Sequence, residues 1–311
     1  MREAFGNFRE ENIFSLEATI QPFIDHLKFE KRYSAHTIRS YKDDLEAFAV
    51  FVRDEFAGLA LKAISPAVVR SWLAALKDEG LSSRSINRKI STLRSFYKYQ
   101  ISNGGVEQSP MGAILSPKMS KRLPVYIERK DMAILFDEVL FPDDWEGWTD
   151  RLLLVILYYT GMRLSELIGL KESQVDGGNR SIKVLGKGNK ERVIPVNEVL
   201  IAAIKEYSDK KRVELAAPDT EVLLVGRKGK RLYPKYVYRA VRAYLAEVTT
   251  IEQKSPHVLR HTFATHLMNA GAELNSVKEL LGHASLAATQ VYTHNTIEKL
   301  KDVYNKAHPK A

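Results

Sequence analysis

Ser82-Ser83-Arg84-Ser85-Ile86-Asn87-Arg88-Lys89-Ile90-Ser91-Thr92-Leu93-Arg94-Ser95-Phe96-Tyr97 carries two signals at once. Ile86, Ile90, Leu93 and Tyr97 recur at three- and four-residue spacing, which places them on one stripe of an α-helix. Ser82 or Ser83 can cap its start with a side-chain oxygen. The helix is expected to run to about Ser102, where Asn103-Gly104-Gly105 breaks it. Arg84, Arg88, Lys89 and Arg94 fall outside the stripe and can face solvent or DNA.

Three more helices precede this one. Residues 16–30 place Leu16, Ile20, Phe23, Ile24 and Leu27 at helical spacing. Ser34 or Thr37 can cap a second helix carrying Ile38, Tyr41, Leu45, Phe48 and Phe51. Ser65-Pro66 opens a third with Val68, Val69, Trp72, Leu73 and Leu76, since proline suits a first helical turn. Gly80 is the expected residue just past its end. Four helices with one basic, small-polar face suit a module that lays a helix against the DNA major groove.

The chain has 311 residues, enough for about two domains. Its net charge is +9, which favours a polyanion, either nucleic acid or an anionic membrane surface. The charge is concentrated. Between positions 80 and 125 stand eight cations (Arg84, Arg88, Lys89, Arg94, Lys98, Lys118, Lys121, Arg122) against one acid, Glu107. With no cysteine, a disulfide framework, thiolate metal ligands and a cysteine nucleophile are excluded. The first residues are charged and lack the apolar core of a signal peptide. The longest apolar run, residues 152–159, is far short of the roughly 20 residues of a membrane span and reads as a buried helix. A cytoplasmic location without membrane partners is expected.

After the Gly pair comes Ser116-Pro117-Lys118-Met119-Ser120-Lys121-Arg122-Leu123-Pro124, a basic stretch without apolar periodicity. It reads as a linker able to track a phosphate backbone. The expected division is a helical domain over 1–113, a linker over 114–125 and a second domain over 126–311. In that second domain residues 150–159 and 165–170 read as helical. Residues 182–185 and 192–196 read as short strands of a hairpin turning at Gly186-Lys187-Gly188-Asn189-Lys190. Helices resume near Asn197, Tyr233 and Val258, and a last one covers 296–306.

Four clusters carry chemistry: Thr160-Gly161-Met162-Arg163-Leu164-Ser165-Glu166-Leu167; the hairpin with Lys187; His257-Val258-Leu259-Arg260-His261; and Leu280-Leu281-Gly282-His283, with Tyr292 nine residues on. Singly, each has an ordinary structural reading: a paired arginine, a surface turn, a packed tyrosine. His257 and His261 have metal-ligand spacing, but an HExxH glutamate is missing and Arg260 between them would repel a cation. No metal and no cofactor are expected.

Together the clusters resemble the tyrosine recombinase (phage integrase) family, most closely its Xer branch. The resemblance spans nearly the whole chain. Arg163 and Arg260 match the two catalytic arginines, Lys187 the hairpin lysine, His257 and His283 the two histidine positions, and Tyr292 the nucleophile. Glu166 matches the acidic position that supports the first arginine. The implied fold is mainly α (α+β), with a four-helix SAM-like DNA-binding domain and a mostly helical catalytic domain holding a small antiparallel sheet. The implied DNA contacts include Arg84, Arg88, Lys89, Arg94, Lys118, Lys121 and Arg122.

The implied reaction cleaves and rejoins DNA through a 3′-phosphotyrosyl intermediate. Two arginines give planar hydrogen bonds to the nonbridging oxygens, His257 accepts the tyrosine proton and Lys187 protonates the leaving 5′ oxygen. The partners implied are duplex DNA bearing an inverted repeat and a second recombinase, self or paralogous, in a tetrameric synapse joined through helix 296–306. A DNA translocase is a candidate activator. The cellular role would be chromosome-dimer resolution at a dif-like site. An integrase or transposon recombinase of a mobile element, an inactive DNA-binding regulator and a type IB topoisomerase are the alternatives.

Overall fold

The computed structural model describes residues 16–118, 125–186 and 191–282. The chain divides into two compact units, Met1–Arg122 and Leu123–Ala311.

In the first unit, α1 (Leu16–Asp25) passes into a wider turn over His26–Glu30, where the Lys31 N–H reaches the His26 carbonyl five residues back. The periodicity of 16–30 therefore covers two geometries rather than one uniform helix. Then come α2 (Ala35–Glu55), α3 (Pro66–Asp78) and α4 (Ser83–Ser102). Ser34 and Ser82 cap α2 and α4 by accepting from the Thr37 and Ser85 N–H groups, each at 3.3 Å. Gly80 takes φ 84°, the left-handed conformation that lets the chain leave α3. The core is built on Phe23, Phe48, Trp72, Phe96 and Tyr97. The Phe48 and Trp72 rings lie 4.8 Å apart, and Phe23 meets Phe96 edge-on at 5.5 Å. Burial of each such side chain stabilises by about 1.5–3 kcal/mol.

Lys89 departs from its expected outward position. It is buried, with Nζ 2.9 Å from Asp44 Oδ1 and 5.5 Å from the centre of the Trp72 ring. The helical spacing explains this: position 89 is three after Ile86 and four before Leu93, so it shares their inward face. Asp44, on α2, also accepts from Arg88 Nη1 and, at 2.9 Å, from Thr92 Oγ1. Arg88 keeps about half its side-chain surface exposed. Arg94 is exposed but donates to the Ile114 carbonyl at 2.8 Å, and Asn87 donates to that of Pro117 at 2.9 Å. Residues 114–117 are thus tied to α4. Arg84 and Lys118 are exposed; Lys121 and Arg122 lie outside the described residues.

In the second unit, α5 (Arg129–Asp137) is followed by α6 (Trp145–Thr160), which begins earlier than the apolar run suggests because Asp144 caps it, accepting from the Gly147 N–H at 2.8 Å. From Leu152 to Thr160 every residue of α6 is buried, so it forms the axis of this unit. The short α7 (Leu164–Ile168) leads to an antiparallel sheet of β1 (Val175–Asp176), β2 (Ser181–Leu185) and β3 (Glu191–Pro195), in that order. Ile182 pairs with Ile194 and Val184 with Arg192. Around α6 pack α8 (Glu198–Glu214), α9 (Pro234–Val248) and α10 (Pro256–Asn269), and α11 (Leu274–Leu281) closes against α10 and β3. Among the described residues, no helix is long and apolar enough to cross a membrane.

Candidate active site

The C-terminal end of α11 organises the site. A helix ends with carbonyls that have no partner within the helix and a partial negative charge near −0.5. Here three successive carbonyls each accept from a different arginine. The Leu280 carbonyl takes Arg192 Nε at 2.8 Å, the Leu281 carbonyl takes Arg260 Nη2 at 2.6 Å, and the Gly282 carbonyl takes Arg163 Nη2 at 2.9 Å. Those arginines come from β3, from α10 and from the residue preceding α7.

Local sequence explains the convergence. Thr160-Gly161 ends α6 with Gly161 at φ 57°, and a Cβ there would lie 2.4 Å from Phe263 Cδ1. Only glycine satisfies both the conformation and the space. The Gly161 carbonyl thereby meets Arg260 Nη1 at 2.7 Å, and Arg163 follows two residues on. Gly282 ends α11 in the same way, at φ 64°. A Cβ on Gly282 would meet Arg192 Cδ at 3.1 Å.

Glu166 ties the group together. Its Oε1 accepts from Arg163 Nη1 at 2.9 Å and Arg192 Nη1 at 2.8 Å. Its Oε2 accepts from the Arg163 backbone N–H and from Arg192 Nη2, both at 2.7 Å. Burial pushes this carboxyl up, but the hydrogen bonds and charge of Arg192, with those of Arg163, outweigh it and hold Glu166 below the usual carboxylate range. Burial, reinforced by repulsion from Arg163 and Arg192, brings Arg260 down to about 10. At neutral pH it stays charged by roughly a thousandfold. Arg163 and Arg260 each spend two of their five N–H groups on these contacts, leaving three each for an anion.

His257 stands at the start of α10, exposed, its ring 5.1 Å from that of His261. Partial burial first, then the positive neighbours His261, Arg260 and Arg163, hold its pKa below the ordinary histidine value. It is a neutral imidazole at pH 7, able to accept a proton. Lys187, His283 and Tyr292 lie outside the described residues, as does helix 296–306. The structure thus brings Arg163, Glu166 and Arg260 together, with His257 one helical turn from Arg260.

Two features escaped the sequence reading. Arg192, only 4% exposed, opens the expected strand and carries no role in the motif reading. The signal was present: strand side chains alternate, so Arg192 shares the inward face of Ile194 and must bury a charge. The second is residues 222–246, which hold seven cations and no acid. Arg227, Lys228, Lys230, Arg231, Lys235, Arg239 and Arg242 are all exposed, with Tyr233 and Tyr238 exposed among them.

Fold and site define a class, and comparison with known proteins agrees. Residues 133–299 match the phage integrase family, and residues 20–104 match the phage integrase N-terminal SAM-like domain. This chain belongs to the phage integrase family and is a tyrosine-type site-specific DNA recombinase. It is 37% identical to tyrosine recombinase XerC of Chlorobaculum tepidum, covering 93% of this chain and 94% of that one. It is 40% identical to tyrosine recombinase XerC of Staphylococcus saprophyticus, covering 95% and 99%. In fold it resembles a Tn1549 transposon integrase in complex with transposon right end DNA (TM-score 0.71, 20% identity, 91% and 98% covered). It also resembles the XerH recombinase bound to difH substrate (TM-score 0.66, 23% identity, 90% and 83% covered).

Proposed function

We propose that the chain resolves chromosome dimers by strand exchange at a dif-like site, with Tyr292 as nucleophile. The observation that carries the chemistry is the pair Arg163 and Arg260, fixed side by side on consecutive carbonyls with spare N–H donors. The cellular role draws its support from the XerC relatives, 36–40% identical over more than nine-tenths of this chain.

In this reading the Tyr292 oxygen attacks the scissile phosphorus and the 5′ oxygen leaves. Arg163 and Arg260 bind the nonbridging oxygens, where charge accumulates in the transition state. His257 accepts the phenol proton and His283 donates to the same phosphate. Lys187 gives the leaving oxygen its proton. The products are a 3′-phosphotyrosyl enzyme and a free 5′ hydroxyl, which conserves the energy of the broken bond for religation. Arg84, Arg88, Arg94, Lys118, Lys121 and Arg122 contact the backbone of a duplex with an inverted repeat, together with the cations of residues 227–242. Lys89 serves instead to hold Asp44. Helix 296–306 docks on a neighbouring recombinase, self or paralogous, in a tetramer, and a DNA translocase is the candidate activator.

Selection of bound duplexes from a genomic pool should return an inverted repeat with a short spacer. On a nicked duplex of that sequence the wild type should trap a covalent adduct, and Tyr292→Phe should bind equally but trap none. An adduct persisting in the variant refutes Tyr292 as nucleophile. A selected site confined to mobile elements refutes the chromosomal role.

A further inference from the structure

Arg192 touches none of the groups assigned to the reaction except through Glu166, yet it is the most enclosed of the three arginines. Placing a guanidinium in a protein interior costs several kcal/mol unless it is paired and fully hydrogen-bonded. Arg192 is paired, and each of its three nitrogens donates a hydrogen bond. Its fork faces both Glu166 oxygens at 2.8 and 2.7 Å and its Nε faces the Leu280 carbonyl at 2.8 Å.

The geometry decides which arginine Glu166 neutralises. Arg192 presents two parallel, planar N–H bonds, the strongest form of carboxylate pairing. Arg163 gives Glu166 a single Nη1–H from its side chain, and its second contact comes from the uncharged backbone. The cluster of Arg163, Arg192, Arg260 and Glu166 sums to +2. Subtract Arg192 and it sums to +1, with Arg163 as the main side-chain partner left to Glu166. A phosphodiester carries one negative charge, and in-line attack by an oxyanion brings a second into the transition state. A +2 cluster matches that state, and a +1 cluster matches only the ground state.

We infer that Arg192 is a positioning residue that neutralises Glu166, so that Arg163 keeps its full charge toward the phosphate, and that aligns the end of α11 through the Leu280 carbonyl. This inference rests on the phosphate site proposed above.

The test uses four full-length variants and the nicked inverted-repeat duplex recovered by selection, with adduct formation timed in single turnover and folding checked by thermal melting. Arg192→Met should slow the adduct roughly a hundredfold to a thousandfold, the scale of losing one stabilising donor. The double variant Glu166→Gln, Arg192→Met should run at least about tenfold faster than Arg192→Met, because removing the carboxylate restores +2. Arg192→Lys keeps the charge but loses the bidentate fork, so its rate should fall between those of wild type and Arg192→Met. Glu166→Gln alone should slow the adduct less than Arg192→Met does, because it weakens the ties to Arg163 and Arg192 but removes no cation. A purely structural role predicts the reverse for the double variant, which has lost more hydrogen bonds. A double variant no faster than Arg192→Met overturns the inference. If Arg192→Met does not fold, Arg192→Gln takes its place: a double variant Glu166→Gln, Arg192→Gln at least about tenfold faster than Arg192→Gln supports the charge role, and no gain overturns it. A wild type that forms no adduct refutes the recombinase site itself, a separate outcome.

Discussion

Replacing Gly161 with alanine perturbs the turn from which both proposed phosphate-binding arginines hang. The cost has two parts. Holding a residue with a Cβ at φ 57° costs about 1 kcal/mol. The new Cβ would stand 2.4 Å from Phe263 Cδ1, 2.9 Å from Phe263 Cγ and 3.0 Å from Leu281 Cδ2, well inside the roughly 3.5–4.0 Å of a comfortable carbon contact. Phe263 is fully buried and cannot swing out, so the overpacking adds about 1–3 kcal/mol. The sum is about 2–4 kcal/mol, and for a unit of this size each kcal/mol moves Tm by about 2–4 °C. Calorimetry should therefore show the transition of the second unit falling by roughly 4–16 °C. Below the new Tm, adduct formation should also fall, because relief of the clash displaces the Gly161 carbonyl that holds Arg260 Nη1 and the turn leading to Arg163. A Tm within 2 °C of wild type with an unchanged adduct rate would refute the account of this turn.

Three further outcomes follow from particular groups. Asp44→Ala leaves Lys89 buried without its carboxylate and should destabilise the first unit by about 3–5 kcal/mol, measured by urea unfolding; a loss under about 1 kcal/mol would show that Asp44 does not hold α2 to α4. Asp150 is pushed up to about 6 by burial, against the hydrogen bond from Tyr236, so the folded carboxyl keeps a proton that the unfolded chain has released. Stability is thus lost as pH rises from about 4 to about 6, and Asp150→Asn should gain about 2 kcal/mol at pH 7.5 and little at pH 4; an equal gain at both pH values, or a loss at both, contradicts the reasoning. If a neutral His257 accepts the tyrosine proton, its lowered pKa places the acid limb of the adduct rate below the ordinary histidine range, and His257→Gln should abolish that limb; a limb unchanged in the variant assigns it elsewhere.

The helices were legible where one face alone is apolar. Ser34 and Ser82 cap as their positions suggest, and Gly80 turns the chain as expected. The two-strand hairpin was also readable, whereas α5 and the two-residue β1 were not, being short and weakly patterned. Lys89 and Arg192 show a common reason for misreading. Both are long cations at inward positions of correctly recognised elements; Lys89 is expected to face outward because charge usually means solvent, and Arg192 is given no role. The helical and strand periods already placed them inside. What the sequence leaves open at such positions is the partner that makes burial tolerable, because Asp44 lies 45 residues from Lys89 and Glu166 lies 26 from Arg192.

The same distinction explains why the arginines of the site are named by motif but arranged by something else. Arg163, Arg192 and Arg260 stand on three separate elements, and burial first, then repulsion from the other two, lowers the pKa of Arg260. Glu166 offsets one of the three charges. The rest of the attraction comes from the end of α11, whose last carbonyls supply partial negative charge without any acidic side chain. An acid in that place would cancel the charge meant for the phosphate, whereas a carbonyl orients a guanidinium and leaves its charge intact. The left-handed Gly282 places the last of these carbonyls against Arg163, and its missing Cβ leaves room for Arg192. The end of α11 is therefore an element of the proposed phosphate site in its own right, although Leu280, Leu281 and Gly282 bear no side-chain group that could react with DNA.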